Sequence, residues 1–401
     1  MNQYIRQSYR IYPTNRQKKI LNQWFGNGRF VWNYMLGLNI ERYSKEKKFY
    51  SFYDMQNMLP ALKKNPEYEW LKESPSQGLQ QKCQDLYVAL MGTSRKKENR
   101  KGFPKFKSRY TDYSGIRFSD WKIDGDRIYL PKQFKKDGMK IVIDRPFLGE
   151  TKTITVYKDN IDHYYVSFTV LVDDDFIKPQ IDFSSIPETR MVGIDVGIKN
   201  FVSLSDGTLI KNPKYLYKQE KKLKRYQRMM TRKQKGSSNR KKARYRLSKL
   251  HKRVANQRKD FIRQTVVDIV KSNDFIGIED LNIKGMVKNH HLAKSLSDTS
   301  LGMLLNEIQW QCKKRGKICQ KINRFFASSK TCSVCGWKKE NLKLSDRVFR
   351  CECCGHTLDR DFNASYNILA ESLRLYKEQN IPLERRKSTT TRYDYGKTKS
   401  E

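Results

Sequence analysis

Apolar positions along this chain of 401 residues change period several times, and each change marks an element. Residues 1–13 alternate as a strand does, and Thr14 offers a side-chain oxygen where a helix should begin. From Gln17 to about Tyr43, Ile20, Leu21, Trp24, Phe25, Val31, Met35 and Leu36 recur at helical spacing. Further helices are expected over 52–64 and from Ser76 to Arg95. Gly102 and Pro104 then break the pattern within GFPKFKSR, residues 102–109. Between Ile116 and Val172 the reading changes to strands: IRF, RIYL, KIVI, TITVYK and YYVSFTVLV, separated by Asp-Gly and Asn turns. This order predicts a β-barrel or sandwich with a helical insert near its start. Residues 173–190 read as a linker.

A second domain is expected from Met191. MVGIDVG, NFVSLS and TLIKN, with a turn at Asp206-Gly207, predict a three-stranded antiparallel meander. Residues 217–264 follow with 20 Lys and Arg against two acids, interrupted at Gly236-Ser237-Ser238. Ala243, Leu247, Leu250, Val254, Phe261 and Val266 share one face of the second arm, so the segment reads as a basic helical hairpin with one packed stripe. FIGIE (275–279) reads as a buried strand, 298–315 as a helix, CQKIN as a strand, and about 361–377 as a final helix. The polar tail from Glu378 is expected to be disordered. There are no internal repeats.

Charge narrows the partners. The chain carries 82 Lys and Arg against 42 Asp and Glu, a formal net charge of +40. Such an excess repels itself unless a polyanion neutralises it, which points to nucleic acid. A membrane surface would call for amphipathic helices or lipidation signals instead. No apolar run approaches the ~18–20 residues of a membrane span, and the N-terminus lacks a signal-peptide apolar region, so an intracellular protein without a membrane partner is expected. Eight cysteines, four of them in paired CxxC spacing, suit zinc in a reducing compartment better than disulfides.

Two constellations carry candidate chemistry. Asp195 lies at the end of the first meander strand, Glu279 ends a later strand, and Asp361 opens the last helix. An acid in each of those places, in that order, describes the RNase H/RuvC arrangement, in which three carboxylates converge at one end of a sheet. Hard oxygen ligands suit Mg²⁺ or Mn²⁺, and two such ions would be bridged by Asp195 with Glu279 and Asp361 completing their shells. Asp280 and Asp359, next to these, read as supporting residues. Gly193 and Gly197 are expected to leave room around Asp195 for a substrate strand. The second constellation is Cys332-x2-Cys335 and Cys351-x2-Cys354, the spacing of a structural Zn–S₄ ribbon with no open coordination position. Cys353 competes for the second pair, but only Cys354 repeats the CxxCG form, and His356 is a further possible ligand. Cys83, Cys312 and Cys319 read as ordinary buried residues. For phosphate contact the hairpin offers Lys221, Lys224, Arg225, Arg228, Lys241, Arg244, Lys249 and Arg253. Phe103, Lys105 and Lys107 in the 102–109 loop suit single-stranded or RNA contacts.

Taken together, GIDVGIKN, IGIEDLNIKGM, SSKTCSVCG…FRCECCG and DRDFNASYNI resemble, in order, the three RuvC motifs and the ribbon of the TnpB family, RNA-guided nucleases of insertion sequences related to type V CRISPR effectors. SYRIYPTNRQKKIL…GRFVWNYML resembles the family's N-terminal helix-turn-helix-like signature, and GFPKFKS its loop motif. The resemblance spans 1–377. It implies a multidomain α+β and α/β protein: a wedge-like β-barrel (1–13 and 100–180) with an inserted helical recognition lobe (14–99), and an RNase H-like RuvC domain (191–330 and 356–377). A zinc ribbon (331–355) would be inserted in the latter, with a disordered tail at 378–401. It also implies a guide RNA, a double-stranded DNA target, and reading of a short target-adjacent motif, for which Tyr53, Gln77 and Gln80 are the candidates. A monomeric, cytoplasmic, nucleoid-associated prokaryotic ribonucleoprotein is expected, cutting DNA at a single RuvC site. The intact Asp195, Glu279 and Asp361 argue against a cleavage-dead RNA-guided repressor or a transposition accessory protein. Five histidines without an HUH motif argue against a stand-alone transposase. A miniature type V CRISPR effector would differ only in its neighbouring locus.

Overall fold

In a computed structural model, residues 3–93, 102–108, 114–342 and 346–380 are described, and the chain divides into two compact units at Phe176/Ile177. The expected disorder of the tail lies outside the described residues from 381 on; residues 378–380 complete the last helix.

The first unit starts with β1 (Gln3–Tyr12), α1 (Asn15–Glu46), α2 (Phe52–Lys64) and α3 (Ser76–Met91). Thr14 caps α1 as its sequence position predicts: its hydroxyl accepts from Gln17 N–H at 3.3 Å, and its own N–H donates to Gln17 Oε1 at 2.9 Å. α1 is one unbroken helix of 32 residues, so the helix-turn-helix-like signature corresponds to a strand and a single helix. β2 (Ser114–Phe118), β3 (Lys122–Asp124), β4 (Arg127–Tyr129), β5 (Met139–Val142), β6 (Gly149–Lys158) and β7 (Tyr164–Val172) join β1 in a seven-stranded antiparallel sheet, order β2-β6-β7-β1-β5-β4-β3. The short strand β3 escaped the sequence reading because Lys122–Asp124 carries one apolar residue. Every strand contributes to one core, which requires the sheet to curl into a half-barrel. Leu21, Trp24 and Phe25 of α1 enter that core, whereas Val31, Met35 and Leu36 further along enter the core of α2 and α3. The helical insert and the sheet are thus joined by one rigid rod.

In the second unit β8 (Met191–Val196), β9 (Asn200–Leu204) and β10 (Leu209–Lys211) form the expected meander. A basic hairpin follows, α4 (Tyr215–Thr231) and α5 (Ser238–Ser272), leading into β11 (Phe275–Glu279). After α6 (Ile283–Met286), α7 (His290–Thr299) and α8 (Leu301–Lys314), β12 (Ile318–Ile322) completes a sheet of order β10-β9-β8-β11-β12, in which β8, β11 and β12 are parallel. Beyond lie the hairpin β13 (Val348–Arg350)/β14 (Thr357–Asp359) and α9 (Arg360–Asn380). α5 and α8 pack one face of the sheet through Ile262, Val266, Leu304 and Ile308; α9 covers the other through Leu369 and Leu373. α6 and most of α7 lie before the helix expected over 298–315, and since α7 ends at Thr299 that helix starts at Leu301.

One ion cluster ties the rear of this sheet. Asp274, just before β11, pairs with Arg190 before β8 and with Lys317 before β12 (3.0 Å to Lys317 Nζ). Its carboxyl is held down to about 2, chiefly by the Arg190 guanidinium. Because this depressed value lies below the unfolded one, the stabilisation is complete above about pH 4 and is lost as pH falls toward 2. Asp274→Asn should cost about 1–3 kcal/mol, between the values for an exposed pair and a broken buried one, because Arg190 is partly solvated. Urea unfolding at pH 7 and pH 2.5 checks this: the deficit should be clear at pH 7 and small at pH 2.5.

Candidate carboxylate site and thiol cluster

β8 and β11 run parallel with Ile194 opposite Ile278, so Asp195 and Glu279, each the next residue, leave the sheet at the same edge. α9 is brought against that edge by missing side chains. Gly193 and Gly277 are register partners; a Cβ on the first would sit 2.1 Å from Ser365 O, and one on the second 2.3 Å from Ser372 Oγ. The helix therefore lies directly on two glycines, and its first turn carries Asp361 to the ends of β8 and β11. This corrects the expectation for Gly193: the space it leaves is filled by α9, not by substrate. Gly197 likewise serves its own turn, where a Cβ would meet Asn200 O at 2.7 Å.

Asp195 feels the other two acids. Burial pushes the Asp195 carboxyl up to about 8, and the negative charges of Glu279 and Asp361 add to the shift. Burial also raises Glu279, opposed by Ser328, whose hydroxyl donates to Glu279 Oε1 at 2.6 Å. Asp361 Oδ2 accepts from Asn200 Nδ2 at 3.0 Å, and its Oδ1 lies 3.4 Å from Arg360. The neighbouring acids do other work. Asp359 accepts from the N–H groups of Asp361 (2.9 Å) and Phe362 (3.4 Å) as a helix cap, while Asp280 pairs with Arg324 and Lys321.

Cys332, Cys335, Cys351 and Cys354 bring their sulfurs within 4.8 Å of one another. The Cys332–Cys354 and Cys335–Cys351 separations are 3.7 and 3.5 Å, close to the ~3.8 Å between sulfurs bound tetrahedrally at ~2.3 Å and far from a disulfide bond. The two knuckles repeat one another. Gly336 N–H donates to Cys332 O and Gly355 N–H to Cys351 O, each glycine at a positive φ near 70°, and Cys332 and Cys351 N–H donate to the Trp337 and His356 carbonyls. This repeat selects Cys354; Cys353 is exposed and outside the cluster, and the half-buried His356 is not part of it either.

Residues that sequence reasoning missed join the two centres. Asn363 of α9, fully buried, accepts from Ser333 N–H and donates to Thr331 O; Asn367 donates to Thr331 O (2.6 Å) and Ser328 O (2.8 Å). The first knuckle and the segment holding Ser328 on Glu279 are thus fastened to the helix that carries Asp361. A signal existed: two asparagines four apart on the buried face of a helix need partners.

The nucleic-acid candidates are placed unevenly. Lys221, Lys224, Arg225, Arg228, Lys241, Arg244, Lys249 and Arg253 are all exposed on the α4–α5 hairpin, with Lys224 paired to Glu220. Lys221 and Arg225 share a groove with Lys222, Tyr226 and Arg246. In the first unit Tyr53 is largely exposed, and Phe103 is exposed beside Phe49. Lys105 O accepts from Trp32 Nε1, and the Lys107 ammonium sits 3.5 Å from the centre of the Trp32 ring, so the 102–108 segment is strapped to α1. Gln77 is engaged with the β2–β3 turn, accepting from Ser119 and Asp120 N–H, and Gln80 is half-buried.

A half-barrel with a helical insert, and a mixed sheet gathering three carboxylates beside a four-thiol knuckle pair, define an RNase H-like protein of the ribbon-bearing class. Family profiles match in the same order: a helix-turn-helix domain over 1–48, a probable transposase over 172–290, and a Cas12f1-like TNB domain over 302–368. A Streptomyces pristinaespiralis protein described as "Putative RNA-guided DNA endonuclease" is 33% identical, covering 91% of this chain and 88% of its own. One from Escherichia coli K12 with the same description, InsQ, is 29% identical over 90% of each. Among solved structures, a Cas12f1–sgRNA–target DNA complex aligns over 92% of this chain and 99% of the other at 18% identity, TM-score 0.34. The chain belongs to the TnpB family. Among the described residues no helix is long and apolar enough to cross a membrane.

Two outcomes test the thiol cluster and its clamp. The purified protein should hold about one zinc per chain, and Cys332→Ser with Cys351→Ser should lose it; unchanged zinc by atomic absorption would reject the site. Asn367→Leu leaves the buried Ser328 carbonyl without its donor, Thr331 O keeping Asn363, and should lower stability by about 1–3 kcal/mol in denaturant titrations.

Proposed function

We propose that this chain is an RNA-guided DNA endonuclease that cleaves its target at the single carboxylate site formed by Asp195, Glu279 and Asp361. The observation that carries this reading is the gathering of those three acids at one edge of the sheet, where burial raises the Asp195 carboxyl and the charges of Glu279 and Asp361 raise it further. Like charges are brought together at such cost where cations are to be held. The three carboxylates would hold Mg²⁺ or Mn²⁺, two ions by the chemistry of the donor set, which would activate water and neutralise the leaving 3′ oxygen. The protein's own part is positional. Ser328 fixes one oxygen of Glu279 and Asn200 fixes one of Asp361, while burial and the two acids favour a proton on Asp195 that a bound cation would displace.

The relatives' descriptions support guidance by RNA and a DNA substrate. Zn²⁺ in the four-thiol cluster is structural, since four cysteines leave no position open for chemistry. The exposed cations of α4 and α5 supply sequence-independent contact with a phosphate backbone, for which the guide RNA and target duplex are the partners. Tyr53 is the free candidate for reading a target-adjacent motif. We place the protein, as a monomeric ribonucleoprotein, in a prokaryotic cytoplasm at the nucleoid.

Asp195→Asn is the test. Guided cleavage should fall at least about a thousandfold, the equivalent of several kcal/mol, with RNA and target binding retained. Surviving cleavage would refute the assignment. A stability readout accompanies it. The Asp195 carboxyl is raised in the folded state, so the cation-free protein loses stability as pH rises from about 4 to about 8. The asparagine variant escapes that loss. At pH 7.5 with chelator it should melt about 2–4 °C higher, a gain of ~1 kcal/mol after solvent screening, and the gap should close near pH 4.

A further inference from the structure

Phe325 is 88% exposed, the most exposed large apolar side chain among the described residues. It stands on the turn that leaves β12 three residues after Ile322, and Ile322 is the register partner of Glu279. The turn is fixed at several points. Phe325 N–H donates to Asn323 Oδ1 at 2.9 Å, and Phe326 N–H to Asn323 O at 3.0 Å. On one side Arg324 is paired with Asp280; on the other Ser328 is bonded to Glu279 and held by Asn367. An aromatic ring is thereby presented to solvent beside the carboxylate edge, on backbone anchored to the strand that carries Glu279. Solvent offers such a ring nothing, and Phe326, its neighbour, is partly buried instead. Lys321 and Arg324 share the single carboxylate of Asp280, which leaves a net positive charge beside the ring. A flat exposed ring among cations is the chemistry that stacks on an unpaired base while the backbone phosphates are met by the cations.

We propose that Phe325 is a stacking platform for an unpaired base of the DNA strand passing the carboxylate edge, and so positions that strand for cutting. This rests on the nuclease reading above, and the two are separable by experiment. A single-stranded oligodeoxynucleotide carrying 5-iodouracil, which couples under long-wave ultraviolet light to rings stacked on it, is irradiated with the full-length protein in Ca²⁺. Tryptic mapping should find the adduct at Phe325 in the peptide between Arg324 and Lys330, and Phe325→Ala should abolish it. No adduct there, an adduct kept at Phe326 in the alanine variant, or coupling to a ribonucleotide probe alone would overturn the proposal. In guided single-turnover cleavage, Phe325→Ala should be about 10- to 100-fold slower and Phe325→Trp near wild type, with zinc content and melting temperature unchanged. Wild-type rates for Phe325→Ala would also overturn it. If the wild-type protein cuts nothing while the adduct forms at Phe325, the nuclease reading fails and the stacking site stands.

Discussion

Three carboxylates gathered at one edge of a sheet repel one another, and the second unit is built to impose that repulsion. Register places Asp195 beside Glu279, since two parallel strands with Ile194 opposite Ile278 leave no other outcome. The third acid is brought by α9, whose closeness depends on the absence of two side chains, at Gly193 and Gly277. A helix cannot approach a sheet this nearly over any other residue. The constraint is steric at its base and electrostatic in its result, and burial together with the two neighbouring acids raises the proton affinity of Asp195.

The ends of the sheet have opposite characters. At the rear, Asp274 meets Arg190 and Lys317, and one acid is answered by two cations. At the front, three acids meet one nearby guanidinium, that of Arg360, and the imbalance remains. The rear cluster secures the starts of β8, β11 and β12, which lets the front carry unfavourable charge without the strands parting. Strain of this sort is tolerated where the surrounding structure over-determines it.

Much of this was legible in the chain. Thr14, the strand FIGIE, the meander and the packed stripe of α5 follow from period and capping alone, because each is local. Asp361 is favoured over Asp359 by family motif, and the structure adds the physical reason: Asp359 caps the helix that Asp361 rides on. What could not be read is non-local. Gly193 was expected to admit substrate, since a glycine announces a close approach without saying of what. Gln77, a candidate for reading a target-adjacent motif, holds the β2–β3 turn, a contact with no local signature. Ser328 gave no chemical signature, and Asn363 and Asn367 gave one only by standing on the buried face of a helix, which calls for partners without saying which.

The position of the ribbon between β12 and α9 then acquires a physical meaning. A long unstructured connection would allow the start of α9 many arrangements, and closing it would cost entropy that grows with its length. Metal bound to the four thiols would fold that connection into a compact piece, because metal affinity and folding free energy are the same quantity in a small ribbon. Asn363 and Asn367 fix the first knuckle to α9, and Asn367 also fixes the carbonyl of the residue that orients Glu279. Glu279 and Asp361 are therefore located through a shared set of hydrogen bonds rather than separately. Loosening the knuckle would disturb both acids at once, while Asp195, set by strand register, would stay.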